Sequence, residues 1–299
     1  MKKQLRTSVR VLALAIASLT LIAACGSSSS SDTTVAVDTT VAVEAPQRIV
    51  SLSATATEML YAIGAGSQVI AVDEYSNYPA DAVALGTKLN AFEPNIEAIA
   101  AYTPDLVIIS NDMASVTERL KALDITVWVG AAPATIDDAY AQITELGAAT
   151  GHTDEASQLV TSMKDDISTA VDGVQAPAGT TYFYELDNTY FSVTSNTFIG
   201  SLLSSLGLTN IADGVEAGND YPQLNAEALI KANPAVIFLA DTKCCAQTAA
   251  TVAARPGWSS IAAVKNNAVI ELDDDISSRW GPRIVDLVKQ FADAVKALK

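Results

Sequence analysis

Two stretches of this chain, 130 residues apart, follow the same pattern. Asn95-Ile96-Glu97-Ala98-Ile99, then Pro104-Asp105-Leu106-Val107-Ile108, matches Asn225-Ala226-Glu227-Ala228-Leu229, then Pro234-Ala235-Val236-Ile237-Phe238. A fainter match pairs Met59-Leu60 and Ile63-Gly64 with Leu202-Leu203 and Leu206-Gly207. Two matches in the same order point to duplicated lobes. Each copy is of α/β type. Short β-branched runs at Ile49–Leu52, Val69–Val72, Leu106–Ile109 and Ile125–Trp128 read as buried strands. Helical stretches at 55–64, 95–102 and 114–123 lie between them. The second half repeats the plan, with strands at Tyr182–Tyr184, Val236–Leu239 and Val269–Leu272 and helices near 198–206, 225–232 and 282–298. Alternation of this kind builds a parallel sheet covered by helices on its faces.

Between the copies, Ala156, Leu159, Val160, Met163, Ile167, Ala170, Val171 and Val174 recur with helical spacing. The pattern predicts one helix over 153–174, about 33 Å long at 1.5 Å per residue. Gly151 and Pro177-Ala178-Gly179 punctuate its ends. The expected architecture is two similar lobes, 48–152 and 176–299, each a parallel-sheet α/β sandwich. A single long rigid helix at 153–175 joins them. A stiff strut of that length predicts only small closure on ligand binding.

The first 47 residues differ from the rest. Lys2, Lys3, Arg6 and Arg10 precede an apolar run from Val11 to Ala24, shorter than the ~18–20 residues that span a bilayer. The run ends in Leu21-Ile22-Ala23-Ala24-Cys25-Gly26, which resembles the lipobox of bacterial lipoproteins. Residues 1–24 are therefore expected to be a lipoprotein signal peptide. Cys25 is expected to become the lipidated N-terminus, and two or three acyl chains would anchor it firmly where one holds only marginally. Residues 25–47 carry five consecutive serines and a repeated Thr-Thr-Val-Ala-Val, with no aromatic residue, and read as a tether. Cargo apart, no cofactor is expected beyond the lipid.

Composition narrows the function. The 34 acids against 18 Lys and Arg give a net charge of −16, and loss of the four cations of the leader makes it −20. Such a body is a poor partner for nucleic acid, which needs cationic neutralisation of phosphates. One His leaves little room for His-rich metal sites or His-dependent triads. The G-x-S-x-G, H-E-x-x-H and G-x-x-x-x-G-K-[ST] patterns are missing. A non-enzymatic role is expected, an exported hydrolase built on carboxylates alone or an adhesion module being the alternatives.

Arg48-Ile-Val-Ser-Leu-Ser-Ala-Thr-Ala-Thr-Glu58, Glu74-Tyr-Ser-Asn-Tyr-Pro79, the two Asn-x-Glu-Ala motifs and Ser278-Arg-Trp-Gly-Pro-Arg-Ile284 resemble the helical-backbone substrate-binding proteins. These serve bacterial ABC importers for ferric siderophores, haem and cobalamin. The resemblance covers residues 48–299. It implies a two-lobe fold, a ligand in the interlobe cleft, a monomer, and docking on a permease dimer driven by a separate ATPase. An iron chelate is the expected cargo, with a corrinoid or haem as the alternative. The implied location is the outer face of the bacterial cell membrane.

The resemblance also assigns residues. Glu97 and Glu227 would dock to permease arginines, although a carboxylate in a first helical turn is favourable without any partner. Tyr75, Phe92, Tyr221 and Arg279, with Trp280 beside it, would line the cleft. Aromatic faces suit flat ligands, and a guanidinium suits carboxylate or phenolate oxygens. Arg279 could equally pair with Asp273, Asp274 or Asp275. Cys244 and Cys245, expected to face the cleft, are candidates for a strained vicinal disulfide, since oxidation is favoured outside the cytoplasm. His152 is expected in an exposed loop, although haem-binding relatives use His or Tyr as iron ligand.

Overall fold

In the computed structural model, residues 44–298 are described, so the leader, Cys25 and nearly all of the tether lie outside the described residues. The first described residues are tied to the N-terminal lobe. The backbone amides of Gln47 and Arg48 both donate to the Asp105 carboxylate, at 2.8 and 3.0 Å. The end of the expected tether therefore already belongs to the body.

The N-terminal sheet has the order β2-β1-β3-β4, all parallel, from β1 (Ile49–Leu52), β2 (Val69–Val72), β3 (Leu106–Ile109) and β4 (Thr126–Val129). The C-terminal sheet repeats that order as β6-β5-β7-β8, from β5 (Thr181–Glu185), β6 (Thr209–Asn210), β7 (Val236–Leu239) and β8 (Val269–Glu271). The duplication read from the sequence is thus a duplication of topology. Helices α1 to α6 span Ala54–Ala62, Ala80–Ala84, Ile96–Ala100, Val116–Lys121, Ile136–Thr150 and Thr153–Val171. Helices α7 to α12 span Phe198–Ser205, Ala226–Ala232, Ala249–Ala253, Ala262–Lys265, Asp274–Ser277 and Ile284–Ala297. The pairs α3/α8 and β3/β7 both start 130 residues apart.

Period-2 alternation sorts the N-terminal strands between two cores. Ile49, Leu106 and Ile108 join the large core that continues through both lobes. Val50, Leu52, Val107 and Ile109 face Ile96, Ile99 and Leu120 of the outer helices. Helix α6 lies between α5 of the first lobe and α12 of the second, with Ala156 and Met163 buried. It is shorter than the periodicity predicts. Asp172 leaves helical geometry at ψ 123°, and Gly173 adopts φ 63°, a left-handed conformation that stops the helix although the apolar spacing runs on to Val174.

Helix α5 is absent from the sequence reading. A capping box starts it: Thr135 Oγ1 accepts from the Asp138 amide at 3.3 Å, and the Asp138 carboxylate accepts from the Thr135 amide at 2.9 Å. Gly151 at φ 81° ends it. Gly147 lets α5 and α6 touch. A Cβ there would lie 2.4 Å from the Ala156 Cβ and 2.9 Å from the His152 carbonyl oxygen. Gly147→Ala should therefore destabilise the protein by about 1–3 kcal/mol despite the better helix propensity of Ala. Thermal unfolding checks this, and an unchanged or raised Tm contradicts the close-contact account.

Candidate functional site

In both sheets, strand order reverses between the first and third strands. Open α/β sheets hold ligands in the crevice at such a reversal, beyond the C-terminal strand ends. Two hollows lie there. The first, about 320 Å³, is lined by Ser53, Asp73, Tyr75, Phe92 and Asn111 of the N-terminal lobe and by residues 278–280. The second, about 290 Å³, is lined by Tyr184, Leu186, Phe198, Tyr221 and Ala240 of the C-terminal lobe and by the same residues 278–280. Ser278, Arg279 and Trp280 therefore form a ridge between two compartments of one interlobe cleft. A larger hollow of about 470 Å³ runs along α6 past Met163, Asp166 and Lys289, away from the strand ends. It lacks the strand-end geometry, so the cleft is the better candidate.

Five expected ligand residues converge here: Tyr75, Phe92, Tyr221, Arg279 and Trp280. Tyr75, Phe92 and Tyr221 are 49%, 57% and 53% exposed, unusual for large aromatics. The same local device presents all three. The amide of Tyr75 donates to Asp73 Oδ1 at 3.0 Å, that of Phe92 to Asn90 Oδ1 at 2.8 Å, and that of Tyr221 to Asn219 Oδ1 at 2.9 Å. Each is an Asx turn, in which a side chain two residues upstream replaces a backbone partner and holds the loop. Tyr75 and Phe92 meet edge to face, with centroids 5.3 Å apart.

Arg279 and Trp280 tie the lobes together as well as lining the cleft. Arg279 is buried, and each terminal nitrogen has two acceptors. Nη1 donates to Glu58 Oε1 at 2.8 Å and Asn77 Oδ1 at 2.9 Å; Nη2 donates to the Tyr75 carbonyl at 2.9 Å and Asp275 Oδ1 at 3.0 Å. The sequence offered the aspartates as alternatives, and Asp275 is one partner; the principal partner, Glu58, was missed. Arg283 also donates to Glu58, from Nε at 2.9 Å and from Nη2 at 2.5 Å. Trp280 Nε1 donates to Gln142 Oε1 of α5 at 2.8 Å. The signal for Glu58 was in view: an acid flanked by Thr57, Met59 and Leu60 in an otherwise uncharged helix requires a buried cation.

Other expectations fare differently. Cys244 and Cys245, candidates for a vicinal bridge, are free thiols here, and they line neither compartment although the sequence placed them toward the cleft. Their loop is pinned by Asp274, whose carboxylate accepts from the amides of Lys243 and Cys244 at 2.9 and 2.8 Å. His152 sits at the N-terminus of α6, Nδ1 3.9 Å from the Glu155 carboxylate, with one quarter of its side chain exposed, and lines neither compartment. Glu97 and Glu227 are exposed, each the second residue of its helix. Asn95 and Asn225 cap those helices identically, accepting from Ala98 and Ala228 at 3.0 and 2.9 Å. Among the described residues neither glutamate is in a salt bridge.

Residues 49–276 match the model of the periplasmic binding protein family. The chain belongs to that family. This periplasmic binding protein is 31% identical over 263 residues to an uncharacterized ABC transporter substrate-binding lipoprotein of Bacillus subtilis, covering 84% of this chain and 80% of that protein. Among solved structures, it matches the vitamin B12-binding protein BtuF of Vibrio cholerae at TM-score 0.71 and 27% identity, covering 85% of this chain and 98% of that one. It matches a possible iron-binding, periplasmic solute-binding protein of Staphylococcus epidermidis at TM-score 0.72 and 26% identity, covering 84% and 99%. The fold is that of this group: α/β, with two parallel four-stranded sheets.

A second buried acid pair lies in the C-terminal lobe. Arg255 holds both oxygens of Glu185, at 2.7 and 2.5 Å, while both oxygens of Asp241 are buried without a partner. Burial and the neighbouring Glu185 carboxylate push Asp241 up from 3.8 to about 7. Folding thus favours its protonated form, and the stability this supplies is lost as pH rises from about 4 through 7. Asp241→Asn should gain about 2 kcal/mol over the parent at pH 8 relative to pH 5, read by urea unfolding at both values. An equal difference at both pH values refutes the assignment. Glu58→Ala strands the buried Arg279 guanidinium and the part-buried one of Arg283, and should cost about 3–5 kcal/mol in the same assay. A cost below about 1 kcal/mol would show that the lobes are joined by other means.

Proposed function

We propose that this protein is the extracytoplasmic substrate-binding component of an ABC importer. It captures a flat metal chelate of the siderophore, corrinoid or haem group and hands it to a membrane permease. The observation that carries this reading is the cleft: three half-exposed aromatics, each on its own Asx turn, Tyr75 and Phe92 in one compartment and Tyr221 in the other, flank a ridge that locks two lobes together. A half-exposed aromatic is unfavourable in water and becomes useful when a ligand face covers it. The group's composition supports the reading, since the B12-binding and iron-binding proteins share this fold. The protein acts by binding and release, as a monomer, with the ATPase on a separate chain.

Residues 1–24 serve as the signal peptide, and lipid on Cys25 holds the body to the outer face of the cell membrane. The substrate-binding lipoprotein of Bacillus subtilis, similar over most of its length, supports the anchor. Glu97 and Glu227 are the handles for the permease. They are exposed, unpaired among the described residues, and placed identically on the two copies of the repeat, as a twofold partner requires. Charge complementarity across such a contact sets register and encounter rate.

The double variant Glu97→Arg/Glu227→Arg should abolish cellular uptake of the chelate by at least tenfold while the purified protein binds it as before, measured by tryptophan fluorescence titration. Uptake at the parental rate removes these glutamates from the docking surface, and lost affinity reassigns them to the cleft.

A further inference from the structure

We infer that the cleft selects its cargo by charge, accepting neutral or cationic chelates and rejecting polyanionic ones. This rests on the receptor reading above and narrows it. The charged residues lining the two compartments are Asp73, Asp275 and Arg279. An arginine can hydrogen-bond an anionic ligand only where it has donors to spare, and carboxylates paired with it cancel most of its attraction at a distance. Arg279 has none at its terminal nitrogens, because Glu58, Asn77, the Tyr75 carbonyl and Asp275 take both positions of each. The cations nearest the ridge are also paired with carboxylates. Arg283 is bound to Glu58 and stacked 4.4 Å from the Tyr78 ring, and Lys243 is bound to Asp273 and Asp275 at 2.6 and 2.7 Å.

The carboxylates around the ridge outnumber these three cations. Glu58, Asp73, Asp273, Asp274 and Asp275 all lie in or directly behind it. Asp275 stays ionised: burial acts to raise it, but Lys243 and Arg279 hold it below the usual carboxylate range. Asp73 is buried at the lip of the first compartment, where burial pushes its carboxyl up, and an anion placed beside it would raise it further.

The helix N-termini do not redress the balance. α1 and α7 begin at the cleft, but Ser53 and Thr197 cap them, accepting from the amides of Ala56 and Gly200 at 3.2 and 3.1 Å. The remaining polar lining is uncharged and includes Ser53, Thr55, Ser110, Asn111, Thr197 and Ser278. Hydroxyls and an amide recognise amide and hydroxamate oxygens, and aromatic faces favour a cation or an apolar plane. A body of net charge near −20 adds long-range repulsion of anions. The fitting cargo is a metal chelate whose periphery carries amides, hydroxamates or hydroxyls rather than carboxylates or catecholates.

The test is a titration of the intact lipid-free protein with four probes: cyanocobalamin and ferrioxamine B, which are neutral or cationic, and haemin and ferric enterobactin, which carry two or three negative charges. At least one of the first pair should bind with micromolar or tighter affinity, and both of the second at least about 100-fold more weakly. In Asp275→Asn, one acceptor of Arg279 becomes neutral, and the ratio of neutral to anionic affinity should narrow about tenfold. Tighter binding of haemin or ferric enterobactin overturns the charge rule and leaves the receptor reading standing. No binding by any of the four overturns the receptor reading, and the charge rule with it. A ratio unchanged in Asp275→Asn, in a variant that unfolds at the parental temperature, overturns the account built on Arg279.

Discussion

The arrangement of the lobes depends on one carboxylate. Glu58 leaves the first helix of the N-terminal lobe at 2% exposure and meets two arginines from the segment that opens the last helix of the chain. Removing a carboxylate from water costs several kcal/mol, and only well-placed cations return it. Here five-donor guanidinium forks do so from both sides, and Arg279 passes the contact on to Asn77, the Tyr75 carbonyl and Asp275. Such a node is demanding rather than strongly stabilising. Every partner must be present in one geometry, so it fixes the relative position of the lobes more sharply than an apolar contact of equal area would. The cleft inherits that geometry, because Arg279 and Trp280 are at once its ridge and the strap across it. Helix α6, packed on α5 and α12, provides the rigid spine behind.

The parts of this structure legible in the sequence are those with local causes. Strands buried on both faces read as continuous apolar runs, and the 130-residue repeat fell on the true helix and strand starts because lobe duplication preserves local register. The aromatics of the cleft were found through their motifs, and a local signal was also there: Asp73-x-Tyr75, Asn90-x-Phe92 and Asn219-x-Tyr221 are one pattern three times. Helix α5 was missed although Thr135-x-x-Asp138 and Gly151 bracket it, because its apolar positions are diluted by Ala, Gly and Thr. The overlong strut is the opposite error. Periodicity continued through Asp172-Gly173, and only backbone conformation ends a helix there.

What was not legible is pairing across more than 200 residues. Glu58 and Arg279 are 221 residues apart, and nothing in either neighbourhood names the other. The sequence does place an unexplained acid inside a buried helix and two arginines four residues apart in Arg279-Trp-Gly-Pro-Arg283. Matching such unsatisfied charges across a chain is a bookkeeping step that periodicity cannot supply. The cysteine pair illustrates the converse limit. Adjacency suggested a bridge, but the loop is organised by Asp274 accepting from successive backbone amides, a contact made by a residue 30 positions away.

Duplication and cargo choice also have different physical consequences here. The outward faces of the two lobes kept their equivalence: Asn95 with Glu97 and Asn225 with Glu227 have the same cap, the same turn and the same exposure. A symmetric partner would sustain that equivalence, since each handle must satisfy the same site. The inward faces diverged. The N-terminal compartment carries Asp73, Tyr75 and Phe92, whereas the C-terminal compartment is lined by Tyr184, Leu186, Phe198 and Tyr221. An asymmetric ligand held across the ridge presents different chemistry to each wall, so no pressure keeps the walls alike. On the proposed docking and binding, the repeat would persist where two copies meet one kind of partner, and diverge where they share a single ligand between them.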